Sequence, residues 1–336
     1  MFRILENKRG ALEHFRDYAE KVRRSVEIYM VKKSDVLKTT YTESFLMDIV
    51  SSNTMNPNTN SLLGILLIGD FESQKCLIRT VDSNLAKEHN KDSYKLFIDT
   101  LNELFVKQFY EKNSFFSKTA HIERVNIDVC PYCGRNYIFV VKKPTKSNPN
   151  TVVKPQIDHF LPKDSYPYLA MNYYNLIPSC TSCNLNPCKW TNDPIGIERS
   201  HEYLMQPYEF RTEDIHFSFK PGTTFYYNSS VGVFMTCNNP EHEVGYKQWL
   251  VLDKLYAKHN TVVSRMFVQL ESIVSIRYHE CLKNKFRIPV SFLEKMPMIL
   301  FGYNLDDNQA PYITLHKFKK DIYNQIIDEL NAIVDV

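Results

Sequence analysis

Glycine is scarce in this chain, nine in 336 residues. A phosphate-cradling loop needs glycine for left-handed turns and close backbone approach. Neither Gly-x-Gly-x-x-Gly nor Gly-x-x-x-x-Gly-Lys-Ser/Thr occurs, which argues against a dinucleotide-binding or P-loop enzyme. Long apolar runs are also missing. No stretch approaches the ~20 residues of a membrane-spanning helix, and the short apolar run at residues 62–68 reads as a buried element. The opening segment is charged and lacks the apolar core of a secretion signal. A cytoplasmic protein with no membrane partner is therefore expected. The net charge of +3 is too small to announce a nucleic-acid binder by itself.

Charge is instead concentrated. Residues 129–190 hold seven basic residues (Arg135, Lys142, Lys143, Lys146, Lys154, Lys163 and Lys189) against two acids, Asp158 and Asp164. That local excess of five suits a phosphate backbone. The same stretch holds two Cys-x-x-Cys knuckles, Cys130/Cys133 and Cys180/Cys183. Without a secretion signal, thiolates on a metal are favoured over disulfides. Zinc takes four tetrahedral ligands, and the two knuckles supply four sulfurs. Such a site is worth about 10–16 kcal/mol of binding free energy in finger peptides, enough to hold together a motif too small for its own core. A redox dithiol would need one Cys-x-x-Cys in a βα context, not two. Cys76, Cys188, Cys237 and Cys281 are scattered and read as core residues.

At this length more than one domain is expected. We divide the chain into a helical region (1–112), a zinc-stapled region (113–195) and a C-terminal region of β-hairpin and helix (196–336). Helical spacing of apolar residues predicts helices over 11–31, 94–110, 247–277 and 314–330. In the second of these, Phe97, Leu101, Leu104, Phe105 and Phe109 share one face. Strands are expected to enter and leave the first knuckle, at 125–129 and 136–141, with a mobile surface loop over 142–154. A strand at 156–160 and another at 175–178 follow, and Asn184 is expected to open a short helix after the second knuckle. Alternating apolar residues at 215–219, 225–227 and 231–234 predict a small antiparallel sheet. The fold class is thus α+β: mostly helical, with a central ββα unit stapled by zinc.

Between the knuckles lies Asp158-His159, followed by Asn175 and Asn184. Phosphodiester cleavage needs an activated water, a charge sink for the leaving oxygen and a hold on the phosphate. A histidine with a pKa near 6.5 can take a proton from water, which is the role expected of His159. Asp158 and Asn184 offer oxygen ligands suited to Mg2+ or Mn2+. The other nine histidines have no such setting. Tyr166, Tyr168, Tyr173 and Tyr174 are expected to pack around the site rather than stack on bases.

The combination Cys-x-x-Cys, Asp158-His159, Asn175-Leu176-x-Pro178 and Cys-x-x-Cys-Asn184 resembles the HNH endonucleases of the ββα-metal superfamily, over about a fifth of the chain. The resemblance implies that His159 is the general base and that Asp158 and Asn184 hold the catalytic cation. It implies that Asn175 holds the loop between the strands, and that DNA is the substrate. Many members carry His where Asn184 stands, which implies a milder metal affinity. The family's phosphate lysine falls three residues after that position; here Lys189 is five on. Lys163 and Lys189 are the candidate phosphate contacts. Within the family, residues 157–163 and the C-terminal extension resemble the nuclease subunits of Septu-type and certain retron anti-phage systems. In those systems an ATPase partner controls the nuclease. Two alternatives stand beside this reading: a zinc-stabilised nucleic-acid-binding or assembly module without catalysis, and a nuclease acting on RNA.

Overall fold

The computed structural model describes residues 1–37, 40–88, 91–143, 150–196, 198, 200–220, 231–274 and 305–334. It is a mixed α/β protein, with helix dominating the described residues and three two-stranded antiparallel sheets. The backbone divides into two compact units. One comprises residues 4–127 and 138–208; the other comprises residues 1–3, 128–137 and 209–336.

The first unit opens with α1 (Lys8–Lys32), α2 (Tyr41–Ser51), α3 (Leu62–Ile68), α4 (Phe71–Lys87) and α5 (Lys91–Leu101). Polar residues start most of them: Asn7, Thr40, Ser61 and Asp70 each accept a hydrogen bond from a first-turn N–H, satisfying donors that a helix start leaves open. On α1 the residues Phe15, Ala19, Val22 and Val26 form the buried stripe, packed against α2 and α3. The apolar run at 62–68 is α3, and Leu63, Leu66 and Leu67 on it are fully buried.

The expected helix at 94–110 changes character part-way. Asn102–Tyr110 continues α5 as a π-helix, and Phe97, Leu101, Leu104, Phe105 and Phe109 are all buried. Apolar spacing of three to four residues does not separate the two geometries. Helix α6 (Lys118–Val125) then takes in Val125, the first residue of the strand expected at 125–129. Ser117 caps it, and Asn126, in the left-handed region (φ +55°), ends it.

Residues 142–154, expected to be a loop, instead carry β1 (Val141–Lys143) and β2 (Asn150–Val153), paired antiparallel; residues 144–149 between them lie outside the described residues. Strands β3 (Gln156–His159) and β4 (Leu176–Ser179) pair in register, Gln156 opposite Ser179 and His159 opposite Leu176. One turn of helix, α7 (Thr181–Asn184), follows. Asn184 closes that turn rather than opening a helix. Tyr166, Tyr168, Tyr173 and Tyr174, in the connection between β3 and β4, are buried, in line with a packing role.

In the second unit the strands expected around the first knuckle reduce to one bridge, Val129 with Tyr137. Gly134 sits at φ +60°, where an added Cβ would lie 2.0 Å from the Met1 nitrogen, so this knuckle turn requires glycine. Strands β5 (Ile215–Phe219) and β6 (Val233–Cys237) form the expected antiparallel pair, while residues 225–227 lie outside the described residues. The helix expected at 247–277 is broken. A π-helix (Val244–Trp249) ends before Val251, which sits at φ +53°, and α8 (Leu252–Ala257) and α9 (Asn260–Val274) follow. A left-handed β-branched residue interrupts helical geometry whatever its neighbours favour. Helix α10 (His316–Val334) buries Phe318, Ile322 and Ile326, as their spacing predicts.

Candidate active site and metal centre

The four knuckle cysteines are buried, and their sulfurs all lie within 4.8 Å of one another. A tetrahedral zinc with bonds of about 2.3 Å sets its sulfurs about 3.8 Å apart. No pair of sulfurs is more than about an ångström beyond that spacing, so the donor set fits the ion. Local hydrogen bonds shape each knuckle. The Gly134 N–H donates to the Cys130 carbonyl (2.8 Å), and the Arg135 N–H points at the Cys133 sulfur (3.4 Å). The Cys183 and Asn184 N–H groups both donate to the Cys180 carbonyl. Outside the knuckles Cys76 is exposed and Cys188 and Cys237 are half-buried, which corrects the expectation of scattered core thiols. Cys281 lies outside the described residues. Burial pushes the Cys237 thiol up to about 11 and also raises that of Cys188, so neither supplies a ready thiolate.

A cleft of about 300 Å³ opens beside β3. Asp158, His159, Lys163 and Asn184 line it, together with Tyr110 and Trp190. Adjacent strand residues ordinarily point to opposite faces. Here His159 is the last residue of β3, and the chain turns at Phe160, so Asp158 and His159 both reach one cavity.

The His159 ring is fixed on two sides. Its Nε2 lies 3.2 Å from the Ala170 carbonyl oxygen, which can only accept, so Nε2 carries the proton and Nδ1 the lone pair. The Tyr110 ring packs edge-on, with centroids 4.4 Å apart. Burial lowers the His159 pKa to about 3; the positive charges of Lys163, Lys189 and Lys118 add to this, against the Ala170 hydrogen bond. The imidazole is therefore neutral at pH 7, but burial makes it a weaker base than the free side chain on which its expected role rested.

Asn175 is fully buried and ties the connection between the strands into one piece. Its Oδ1 accepts from the Leu161 N–H (2.7 Å), and its Nδ2 donates to the carbonyls of Leu161 (3.1 Å) and Leu169 (3.2 Å). The Ala170 carbonyl that holds His159 is the next residue along.

Asn184 gives its Nδ2 to the Gln156 Oε1 at 2.8 Å, so its Oδ1 is the atom it would offer a cation. Gln156 is a site residue that sequence reasoning missed. The period-two alternation of β3, which places 156 and 158 on one face, is the signal that could have found it. Tyr110, at the end of a π-helix, had no such signal.

Lys189 departs furthest from expectation. Its side chain is fully buried, with Nζ 3.2 Å from Asp158 Oδ1, 3.1 Å from Oδ2 and 2.9 Å from the His159 carbonyl. It holds the carboxylate rather than facing a phosphate. Its backbone N–H donates to the Cys183 carbonyl (3.1 Å), linking the second knuckle to the strand end. The oxygen donors of Asp158 and Asn184 thus share one cleft and suit a hard divalent cation, but a lysine already straddles the carboxylate.

Lys163 stands half-exposed at the mouth, 3.1 Å from Glu111. Lys118 lies over the Tyr110 ring at 4.4 Å. Burial lowers its pKa, and the nearby charges of Lys154 and Lys163 contribute. Lysines thus converge on the side of the cleft where His159 stands.

No protein-family model matches the chain, and no solved structure matches it. One curated relative does, over a short stretch. A segment of 29 residues is 59% identical to the Septu protein PtuB of Bacillus thuringiensis, covering 9% of this chain and 11% of that protein. The chain is therefore similar to a Septu protein over about a tenth of the relative's length. Among the described residues, no helix is long and apolar enough to cross a membrane.

Proposed function

We propose that this chain is a metal-dependent HNH-type endonuclease that hydrolyses phosphodiester bonds in DNA. The observation that carries the reading is the cleft itself. A neutral histidine, its tautomer set by a backbone carbonyl, shares a cavity with the oxygens of Asp158 and Asn184, and lysines stand at the rim.

In this reading Nδ1 of His159 takes a proton from a water in the cleft. The water oxygen attacks phosphorus, and the bond from phosphorus to the leaving oxygen breaks. Asp158 and Asn184 would hold a divalent cation, which would supply positive charge for that leaving oxygen. Lys163 and Lys118 draw the phosphodiester towards the mouth. Asn175 keeps Ala170, and through it the His159 ring, in place. Cys130, Cys133, Cys180 and Cys183 would hold a structural zinc that shapes the chain around the cleft. The short likeness to a Septu protein supports a role in anti-phage defence; the resemblance of residues 157–163 to Septu-type nuclease subunits extends this to a nuclease effector working with an ATPase subunit.

The test is cleavage of supercoiled plasmid by zinc-loaded protein with Mg2+ or Mn2+, beside His159→Ala and a sample without added divalent ion. Metal-dependent nicking that disappears in the variant is the expected result. If neither protein cuts DNA or RNA with any ion, alone or with the ATPase, and both bind nucleic acid equally, the chain is a zinc-stabilised binding module.

A further inference from the structure

Lys189 is the residue that the proposed chemistry leaves unexplained. A lysine with no exposed side-chain surface is uncommon, and here the reason is specific. Its ammonium sits astride the Asp158 carboxylate, within 3.2 Å of both oxygens, and is anchored from behind by the His159 carbonyl. The lysine backbone is in turn held by the knuckle carbonyl of Cys183. The ammonium is therefore placed by the fold rather than swung in from solvent.

We infer that Lys189 is a resident cation that occupies the Asp158 side of the cation site and competes with the divalent metal for it. This rests on the reading of Asp158 as a cation ligand. Both carboxylate oxygens are committed to Nζ, and a hard divalent ion would bind along the same directions. The lysine and the aspartate cancel in charge, so an incoming ion meets a neutral pair and the amide of Asn184 instead of a carboxylate. With the ammonium in place, the ion is also repelled at short range in a poorly screened site. Metal occupancy therefore requires Nζ to leave the carboxylate, and affinity in the resting protein is low. In the absence of metal the lysine spares Asp158 an uncompensated buried charge.

The experiment titrates Mn2+ into zinc-loaded wild type, Lys189→Met, Lys189→Gln and the double variant Asp158→Asn/Lys189→Met, and reads the free ion by electron paramagnetic resonance. No chelator is used, so the cysteine cluster is left alone. Lys189→Met is expected to bind Mn2+ at least tenfold more tightly than wild type, and the double variant is expected to lose that gain. Lys189→Gln keeps a donor for Asp158 and the His159 carbonyl, and serves if the methionine variant fails to fold. A variant that melts early without Mn2+ and recovers with it gives the same answer by stability, because the ion takes the place of the lost ammonium. Equal affinity, within twofold, in wild type and the lysine variants overturns the inference. So does a gain that survives Asp158→Asn, or failure of both single variants to fold even with Mn2+. Occupancy is measured without nucleic acid, so a protein that cuts nothing still answers this question. A refuted competition likewise leaves the cleavage test standing.

Discussion

Replacing Asn175 tests whether the strand connection is pinned as the geometry indicates. Asn175→Ala removes the acceptor of the Leu161 N–H and a donor to the Leu161 carbonyl, at a residue with no exposed surface. The Leu169 carbonyl loses less, because the Asn172 N–H also donates to it at 3.1 Å. Two backbone groups are thus stranded. At roughly 1–3 kcal/mol for each unsatisfied buried group, the expected loss is about 3 kcal/mol. Asn175→Asp separates this from a simple change of packing, since the two side chains are nearly equal in size. One carboxylate oxygen can still accept from Leu161. The other must face the Leu161 and Leu169 carbonyl oxygens, where only a donor is welcome. Asn175→Asp is therefore expected to be at least as destabilising as Asn175→Ala. Urea denaturation of zinc-loaded protein at pH 7, followed by circular dichroism, measures both. An aspartate variant within about 0.5 kcal/mol of wild type would refute the network. In the proposed enzyme both variants also lose cleavage, because the Ala170 carbonyl no longer holds the His159 ring.

Three further outcomes are expected. Cys133→Ser should release zinc, read by a colorimetric chelator, and should unfold the surrounding structure. His159→Ala should keep zinc and a near-native melting curve while abolishing cleavage; early melting or zinc loss would show that His159 is structural. Acid should weaken the fold through His14 and His121, which burial holds at pKa values of about 3 and about 4 and whose Nδ1 atoms are buried without partners. A histidine depressed in the folded state binds its proton more readily when unfolded. Its contribution is thus intact above about pH 6.5 and is lost as the pH falls towards 4. Between pH 7 and pH 5 each costs about 2 kcal/mol, about 4 kcal/mol together. A His14→Gln/His121→Gln protein whose stability falls as steeply as wild type over that range would contradict this origin.

These two histidines also serve a purpose that no local spacing signals. His14 on α1 and His121 on α6 carried no motif, yet their Nε2 atoms bond the carbonyls of Met171 (2.7 Å) and Leu176 (2.8 Å), on the chain that frames the cleft. What is local was legible in the sequence. The knuckles are four-residue spacings; β4 opens on the apolar pair Leu176-Ile177; the Asp158-His159 pair needs no partner to be recognised. The stripes of α1 and α10 follow from apolar periodicity, because burying such a stripe is what stabilises a helix in water. Which groups meet follows from the folded chain alone. Lys189 reaches Asp158 from 31 residues away, and Tyr110 meets His159 from the end of a π-helix that α-helical spacing does not foretell. The physical reason is range. Helix and strand patterns record whether a residue faces core or water, whereas an ion pair in a cleft depends on the path of the whole chain between its members. No spacing encodes that path.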